Sequence, residues 1–344
     1  MSFHLSKPGP QGSVPTVEVI MWRLWCTVLR CGRVSPFNAE IAEVGIISTD
    51  SHLKSGVFQM IDAILFPSGF FNRKLVDEDL QLEYSAAVEC GLYSDILIFS
   101  YEEWFHNGRL VLDHSPDQAI TAVYRGWMML PEQYERFYDG LLERNIHLIT
   151  TPKEYSALHV FPNVYPRISP DTPRTIIFPT DTGIDLSRVK KTFDRFMVKD
   201  YVKSVKGTDF PVYFDSDTSQ EQFDNWIRKF VDYRGQLFTG GFCVKEYIDL
   251  AKYGEHKNEY RVFYMNHQIA TINRNSGQPD FAPQPPMGLV EKYRNLDSRF
   301  YTVDFAERTD GTWTIIEAGD GSVSGLSDYQ NYTEFFRKLY YCFA

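Results

Sequence analysis

One seven-residue phrase occurs twice in this chain: Phe196-Met-Val-Lys199-Asp-Tyr-Val202 and Phe242-Cys-Val-Lys245-Glu-Tyr-Ile248. Aromatic and β-branched residues dominate both copies, so each reads as a strand whose neighbouring side chains point to opposite faces. Lys199 and Lys245 hold the same place in their strands. Two ammonium groups on neighbouring strands repel unless an anion lies between them, and a polyphosphate is the natural candidate. Either lysine alone reads equally well as a strand lysine turned to water. The first copy continues into Lys203-Ser-Val-Lys206-Gly207-Thr, a basic, glycine-containing loop of the kind that folds over phosphates with its N–H groups. Neither the GxxxxGK[ST] spacing nor the GxGxxG fingerprint is present.

A hairpin further along carries opposite charges. Asp310-Gly311 is a two-residue turn signal. That turn sets Glu307 against Thr314, Phe305 against Ile316 and Asp304 against Glu317. Facing carboxylates lie about 4.5–5.5 Å apart at Cβ and destabilise the pair. A divalent cation removes the repulsion, and Mg²⁺ commonly takes one or two carboxylates together with substrate phosphates. Asp320, in Glu317-Ala-Gly-Asp320, can supply a third ligand. The alternatives are an acidic pair facing water, or a one-residue slip that puts the acids on opposite faces. Val303, Phe305 and Ile316 make the strands look buried, where an unpaired acid is costly, and this favours the ligand role. Arg261, in Glu259-Tyr-Arg261, reads either as a planar fork for a terminal phosphate or carboxylate or as the partner of Glu259. Arg125, in Tyr124-Arg125-Gly-Trp127, lies among apolar residues and needs an anion, either structural or substrate.

The 344 residues suffice for two or three domains. A net charge of -10 argues against a nucleic-acid partner. Five cysteines without a CxxC pair fit a reducing, cytoplasmic setting better than a disulfide or zinc framework. No apolar run reaches roughly 18 residues, so no membrane span is expected. Prolines and glycines break up the first fifteen positions, and residues 1–59 read as an N-terminal extension of uncertain structure. From Ile61 strands alternate with helices: strands at 61–66, 95–99, 124–130 and 146–149, helices at 76–88, after Pro131 and after the capping box Thr151-Pro152-Lys153-Glu154. This order predicts a small α/β domain with a mostly parallel sheet at 60–170. Pro162, Pro166, Pro170 and Pro173 read as a linker. In the second domain, 174–344, Phe223, Trp226, Ile227, Phe230 and Val231 mark an amphipathic helix between the lysine strands. Antiparallel strands are expected at 260–266, 268–272, 300–306 and 312–317, a loop at 276–290 and a closing helix at 331–341.

Lysine strand, basic loop, helix, lysine strand, Glu-x-Arg strand, Asp strand and Glu-x-x-Asp, in that order, resemble the ATP-grasp superfamily over residues 174–330. Residues 60–170 look like its pre-ATP-grasp domain. Tyr124-Arg125-Gly-Trp127 and the two lysines are similar to the phage and bacterial clade named for an arginine and lysine signature. The resemblance implies an α/β and α+β architecture, with two α+β lobes gripping ATP. It implies that Lys199 and Lys245 contact the phosphates. Glu246, Tyr247 and Ile248 would touch adenine and Asp249 the ribose. Asp304, Glu317 and Asp320 would bind Mg²⁺ or Mn²⁺, although the family's last ligand is usually the asparagine of Glu-x-Asn, one residue closer. Lys203 would close the loop over the triphosphate, Arg261 would align the γ-phosphate, and Arg125 would contact substrate. The implied reaction joins a carboxylate to an amine, small molecule or peptide, through an acylphosphate. Two other readings share these residues: an ATP-binding regulatory or scaffold protein without ligation, and direct phosphate transfer to a small molecule.

Overall fold

The computed structural model describes residues 60–344, and the expected extension 1–59 lies outside the described residues. Four strands, β1 (Ala63–Pro67), β2 (Asp95–Phe99), β3 (Ile120–Tyr124) and β4 (Ile146–Leu148), form a parallel sheet in the order β2-β1-β3-β4. Parallel neighbours need crossovers. Helices α1 (Gln81–Cys90), α2 (Tyr101–Asn107) and α3 (Pro131–Leu142) lie in these connections. The α1 helix stops at Gly91, whose φ of 66° is the left-handed C-terminal cap. The third strand lies earlier than the expected 124–130. The chain leaves the sheet after Tyr124, and Met129 exchanges both backbone groups with the Tyr155 hydroxyl instead of with a strand.

Helices α4 (Pro152–His159) and α5 (Phe161–Ile168) follow. Thr151 and Glu154 cap α4 reciprocally, as its sequence requires. The expected proline linker is partly this second helix. Pro162 sits in its first turn, where a missing N–H costs nothing, and Pro166 is accommodated inside it.

A second sheet, ordered β5-β8-β6-β7, contains both lysine strands. Its members are β5 (Thr175–Pro179), β6 (Arg195–Asp200), β7 (Phe214–Asp215) and β8 (Gly241–Glu246), with α6 (Leu186–Thr192) and α7 (Gln220–Arg234) between them in sequence. Phe196, Val198, Phe242 and Val244 turn one face toward Phe223 and Phe230 of α7. The period of two leaves Lys199, Cys243 and Lys245 on the other face.

After a small ribbon, β9 (Lys252–Tyr253) and β10 (His256–Lys257), comes a third sheet ordered β12-β11-β13-β14. It consists of β11 (Glu259–Met265), β12 (Gln268–Arg274), β13 (Phe300–Glu307) and β14 (Trp313–Asp320), all antiparallel. The expected loop at 276–290 ends in a short helix, α8 (Met287–Lys292), and the chain closes with α9 (Tyr332–Phe343). One face of this sheet, with Val262, Tyr264 and Val303, packs on Phe161, Val164 and Val290. The other face, with Phe263, Met265 and Phe300, packs on Phe335, Phe336 and Leu339 of α9. The same helix meets Ile64 and Phe66 of β1, so it belongs to two sheets at once. Among the described residues no helix is long and apolar enough to cross a membrane.

Candidate active site

The β6–β8 register sets Lys199 opposite Cys243 and Met197 opposite Lys245. The lysines are therefore diagonal neighbours on one face. They are 8% and 5% exposed. Their ammonium groups lie 5.1 and 5.3 Å from the centre of the Phe161 ring, which offers its negative face to both. Burial first, and then the Lys199 charge, lower the pKa of Lys245 to about 7.

The third sheet supplies the anions. Lys199 Nζ and Lys203 Nζ lie 4.0 and 3.6 Å from Glu317 Oε1. Lys245 Nζ donates to the carbonyl of Ile316 at 2.9 Å. Burial opposes the ionisation of Glu317, but Lys203, Lys199, Lys206 and Arg261 outweigh it and hold this carboxyl well below the usual range. Glu317 is directly opposite Asp304, as expected, although the path to that register differs. The turn has three residues, Thr309 to Gly311, with Arg308 N donating to Thr312 O at 2.7 Å. Gly311 takes a φ of 80°, the position such a turn gives to glycine. That turn alone would pair Asp304 with Ile316. The turn's register holds as far as Phe305 opposite Ile315, and a bulge then restores Asp304 to Glu317, leaving Ile316 as the extra residue whose carbonyl Lys245 takes.

Asp304 is engaged from its other side. Arg261 faces it across β11 and β13 and grips it at two points, Nε to Oδ1 at 2.9 Å and Nη2 to Oδ2 at 2.7 Å. The expected alternative partner of Arg261, Glu259, is instead a half-buried acid whose pKa is raised by burial. Asn273 of β12 is directly opposite Arg261. A cross-strand row, Asn273–Arg261–Asp304–Glu317, thus crosses the sheet, and its Glu317 end meets the lysines.

Asp320 does not join this row. It follows Glu317 by three positions, so the alternation of the strand sends it to the opposite face, opposite Tyr301. There it is fully buried, accepts from Ser322 N at 2.8 Å, and has its pKa raised to about 7 by burial. Among the described residues no group of three His, Cys, Asp or Glu side chains is placed to hold a metal ion. Arg125 is also elsewhere. It is 2% exposed, paired with Glu83 at 2.8 and 2.9 Å, and donates to the carbonyls of Gly321 and Ser324. Its anion is structural, and its donors join the first sheet to the loop after β14.

The end of β8 is a ring of paired charges. Arg174 holds Glu246 at 3.0 and 2.8 Å. Arg195 lies over the rings of Tyr213 and Tyr247, 5.3 and 4.9 Å from their centres, and pairs with the exposed Asp249. Ile248, between Tyr247 and Asp249 in the chain, is half-buried. The side chains of Glu246 and Asp249 are thus paired within the protein, the Tyr247 ring lies against Arg195 and Tyr213, and the N–H groups of Glu246 and Tyr247 donate to the carbonyls of Arg174 and Arg195.

Sequence reasoning missed three supports. Asp200, fully buried, accepts from Val202 N and Lys203 N at 2.7 Å each and from Arg234 Nε at 2.7 Å, which fixes the base of the basic loop. The signal was its place in the repeated phrase, directly after Lys199. His159, at the end of α4, is kept neutral: burial first, then Lys203, lower its pKa to about 3. Phe161, just before the expected proline linker, lies against both lysines.

Residues 189–339 match a family model for an ATP-grasp domain, the third family of the clade named for its arginine and lysine signature. Among solved structures, the fold is similar to D-cycloserine synthetase DcsG, with TM-score 0.54, 12% identity, and coverage of 82% of this chain and 99% of that one. It is similar to the ATP-grasp ligase PsnB complexed with a minimal precursor, Mg and ADP, with TM-score 0.51, 8% identity and coverage of 82% and 97%. D-alanine–D-alanine ligase from Bacillus anthracis, complexed with ATP, is a further likeness at TM-score 0.51, 12% identity and coverage of 81% and 96%. No curated protein is significantly similar in sequence.

Proposed function

We propose that this chain, a member of the ATP-grasp superfamily, is an ATP- and Mg²⁺-dependent carboxylate–amine ligase. The observation that carries the reading is the meeting of Lys199, Lys203 and Lys245 with Glu317 beside the Arg261–Asp304 pair, where the second and third sheets come together. In this reading residues 60–170 form the preceding α/β domain and 174–344 the nucleotide-gripping one.

Cations that crowd one carboxylate are matched to a ligand carrying more negative charge than that carboxylate. A triphosphate meets this need, with Lys199 and Lys245 on its phosphates and Lys203 over it from the loop. Adenine would lie against Tyr247 and the backbone of Glu246 to Ile248, beside the Asp249 end. The acid set fits a Mg²⁺ that arrives on the nucleotide and does not fit a protein-only metal centre: Glu317 is in place, Asp304 is shared with Arg261, and Asp320 faces away. Such an ion supplies charge neutralisation at the phosphate oxygens.

The chemistry then needs little from side-chain nucleophiles. A substrate carboxylate oxygen attacks the γ-phosphorus and ADP leaves. The amine attacks the carbonyl of the resulting acylphosphate, and phosphate leaves as the amide forms. Lys199, Lys245 and Arg261 lower the barrier by meeting charge that develops on the transferred phosphoryl group. Lys203 shields the acylphosphate from water by closing the loop. The test is ADP release, with mass spectrometry of products, over pools of acids and amines. Amide product with stoichiometric ADP and phosphate is expected. ATP binding without ADP release across the pools would favour a regulatory or scaffold role, and a stable phosphorylated product would favour phosphate transfer.

A further inference from the structure

A groove of about 320 Å³ runs along β12, walled by residues 269–273 of that strand and by the start of α9. Two atoms of its lining residues are buried and have no hydrogen-bond partner among the described residues: the Asn273 Nδ2 donor and the Gln330 Oε1 acceptor. Gln330 is 8% exposed, and its Nε2 already donates to Thr271 Oγ1 at 3.3 Å. Buried polar atoms left unpaired are costly and uncommon, so these two atoms call for a ligand that offers both an acceptor and a donor.

The strand adds main-chain groups. β12 is an edge strand. Asn275 N donates to Glu259 O at 2.8 Å, which fixes the phase of the ladder. Residues 271 and 273 turn their backbone toward β11, and 270, 272 and 274 turn theirs outward. Lys338 Nζ takes the Ala270 carbonyl at 3.0 Å, and the Ser327 hydroxyl takes that of Arg274. Between them, Ile272 presents its N–H and C=O to the groove that it lines.

The geometry points to a binding site for an extended peptide segment laid along β12, with a backbone carbonyl accepting from Asn273 and a backbone N–H donating to Gln330. A peptide is the ligand class that repeats donor and acceptor along an extended chain, and an edge strand is the surface that reads it. A simple anion would satisfy Asn273 and leave the Gln330 oxygen opposed. Asn273 stands next to Arg261 in the cross-strand row, so a segment held here adjoins Arg261 at one point of its length. The inference rests on the ligase reading and narrows its substrate class to peptides.

Fluorescence anisotropy with a fluorescein-labelled pool of randomised octapeptides tests it, with ATP affinity measured by calorimetry on the same wild-type protein. Saturable binding is expected, weakened about tenfold or more by Asn273→Ala with Gln330→Ala, the loss that one or two hydrogen bonds carry. On wild-type protein the same pool with N-methylated amides, which lacks the donors, should bind at least about tenfold more weakly. Equal binding of the two pools overturns the proposal even where the double variant fails to fold, and so does the absence of peptide binding. Peptide binding without ATP binding would leave the groove standing and overturn the ligase reading, while ATP binding without peptide binding would do the reverse.

Discussion

Burial and the neighbouring Lys199 lower Lys245 from 10.5 to about 7. Between those two values the unfolded chain holds the proton and the folded chain does not, so this group makes the fold more stable as pH rises across that interval. Phosphate binding has the opposite sign, because a bound anion favours the charged lysine. ATP should therefore bind with proton uptake above pH 7, and its affinity should fall as pH climbs. Calorimetry near about pH 8 in buffers of different ionisation enthalpy reads that proton. Lys245→Arg, charged throughout, should abolish the uptake; uptake that survives the substitution refutes the assignment. Arg125 makes the contrary prediction. Arg125→Ala strands the buried Glu83 carboxylate and should cost about 3–5 kcal/mol in urea unfolding. Unchanged stability together with altered substrate use would restore its expected contact with substrate. The two residues also differ in how they read as text. The lysines were legible because the strand phrase containing each repeats. The partner of Arg125 lies 42 positions away in a helix, and no local pattern connects them.

The hairpins show what the sequence conceals between residues and whole sheets. Asn266 and His267, both at positive φ, make a two-residue turn that sets Met265 opposite Gln268. Carried on unbroken, that register would pair Arg261 with Ile272. A bulge at Ala270 shifts it and brings Asn273 opposite Arg261. In the β13–β14 hairpin, a turn longer by one residue and a bulge at Ile316 cancel, so the expected Asp304–Glu317 pairing is recovered by a different route. Bulges leave no fixed letter in a sequence, because the extra residue only has to tolerate a local kink. The basic loop is the element that the proposed ligase would close over its nucleotide. Its base is locked by the Asp200–Arg234 pair, with side chains 0% and 10% exposed. Asp200→Asn should weaken that lock, lower stability by about 2–4 kcal/mol, and raise hydrogen exchange at Val202 and Lys203. ATP with Mg²⁺ should slow exchange in the same loop of the wild-type protein. Exchange indifferent to both changes would separate the loop from the nucleotide.

Across the whole molecule, α9 joins what the sequence divides. Phe335 and Phe336 are fully buried in a core that includes Ile64 and Phe66 of the first sheet and Phe263 and Phe300 of the third. Arg125 reinforces the same junction through Gly321 and Ser324. Boundaries read from alternation and proline content therefore describe the order of the text better than the sharing of cores. Phe336→Ala should cost about 3–5 kcal/mol. Denaturation should remain one transition when followed by near-ultraviolet and far-ultraviolet circular dichroism, because the first and third sheets share that core. Two separated transitions would show that the sheets hold together independently. The shared helix has a further consequence during synthesis. The strand Ala63–Pro67 is made early, yet the rings that close its core belong to residues 332–343. On the ribosome this sheet must wait, uncapped, until residues 332–343 have been translated, and a nascent chain stalled before position 332 should be a client for chaperones and easy prey for proteases.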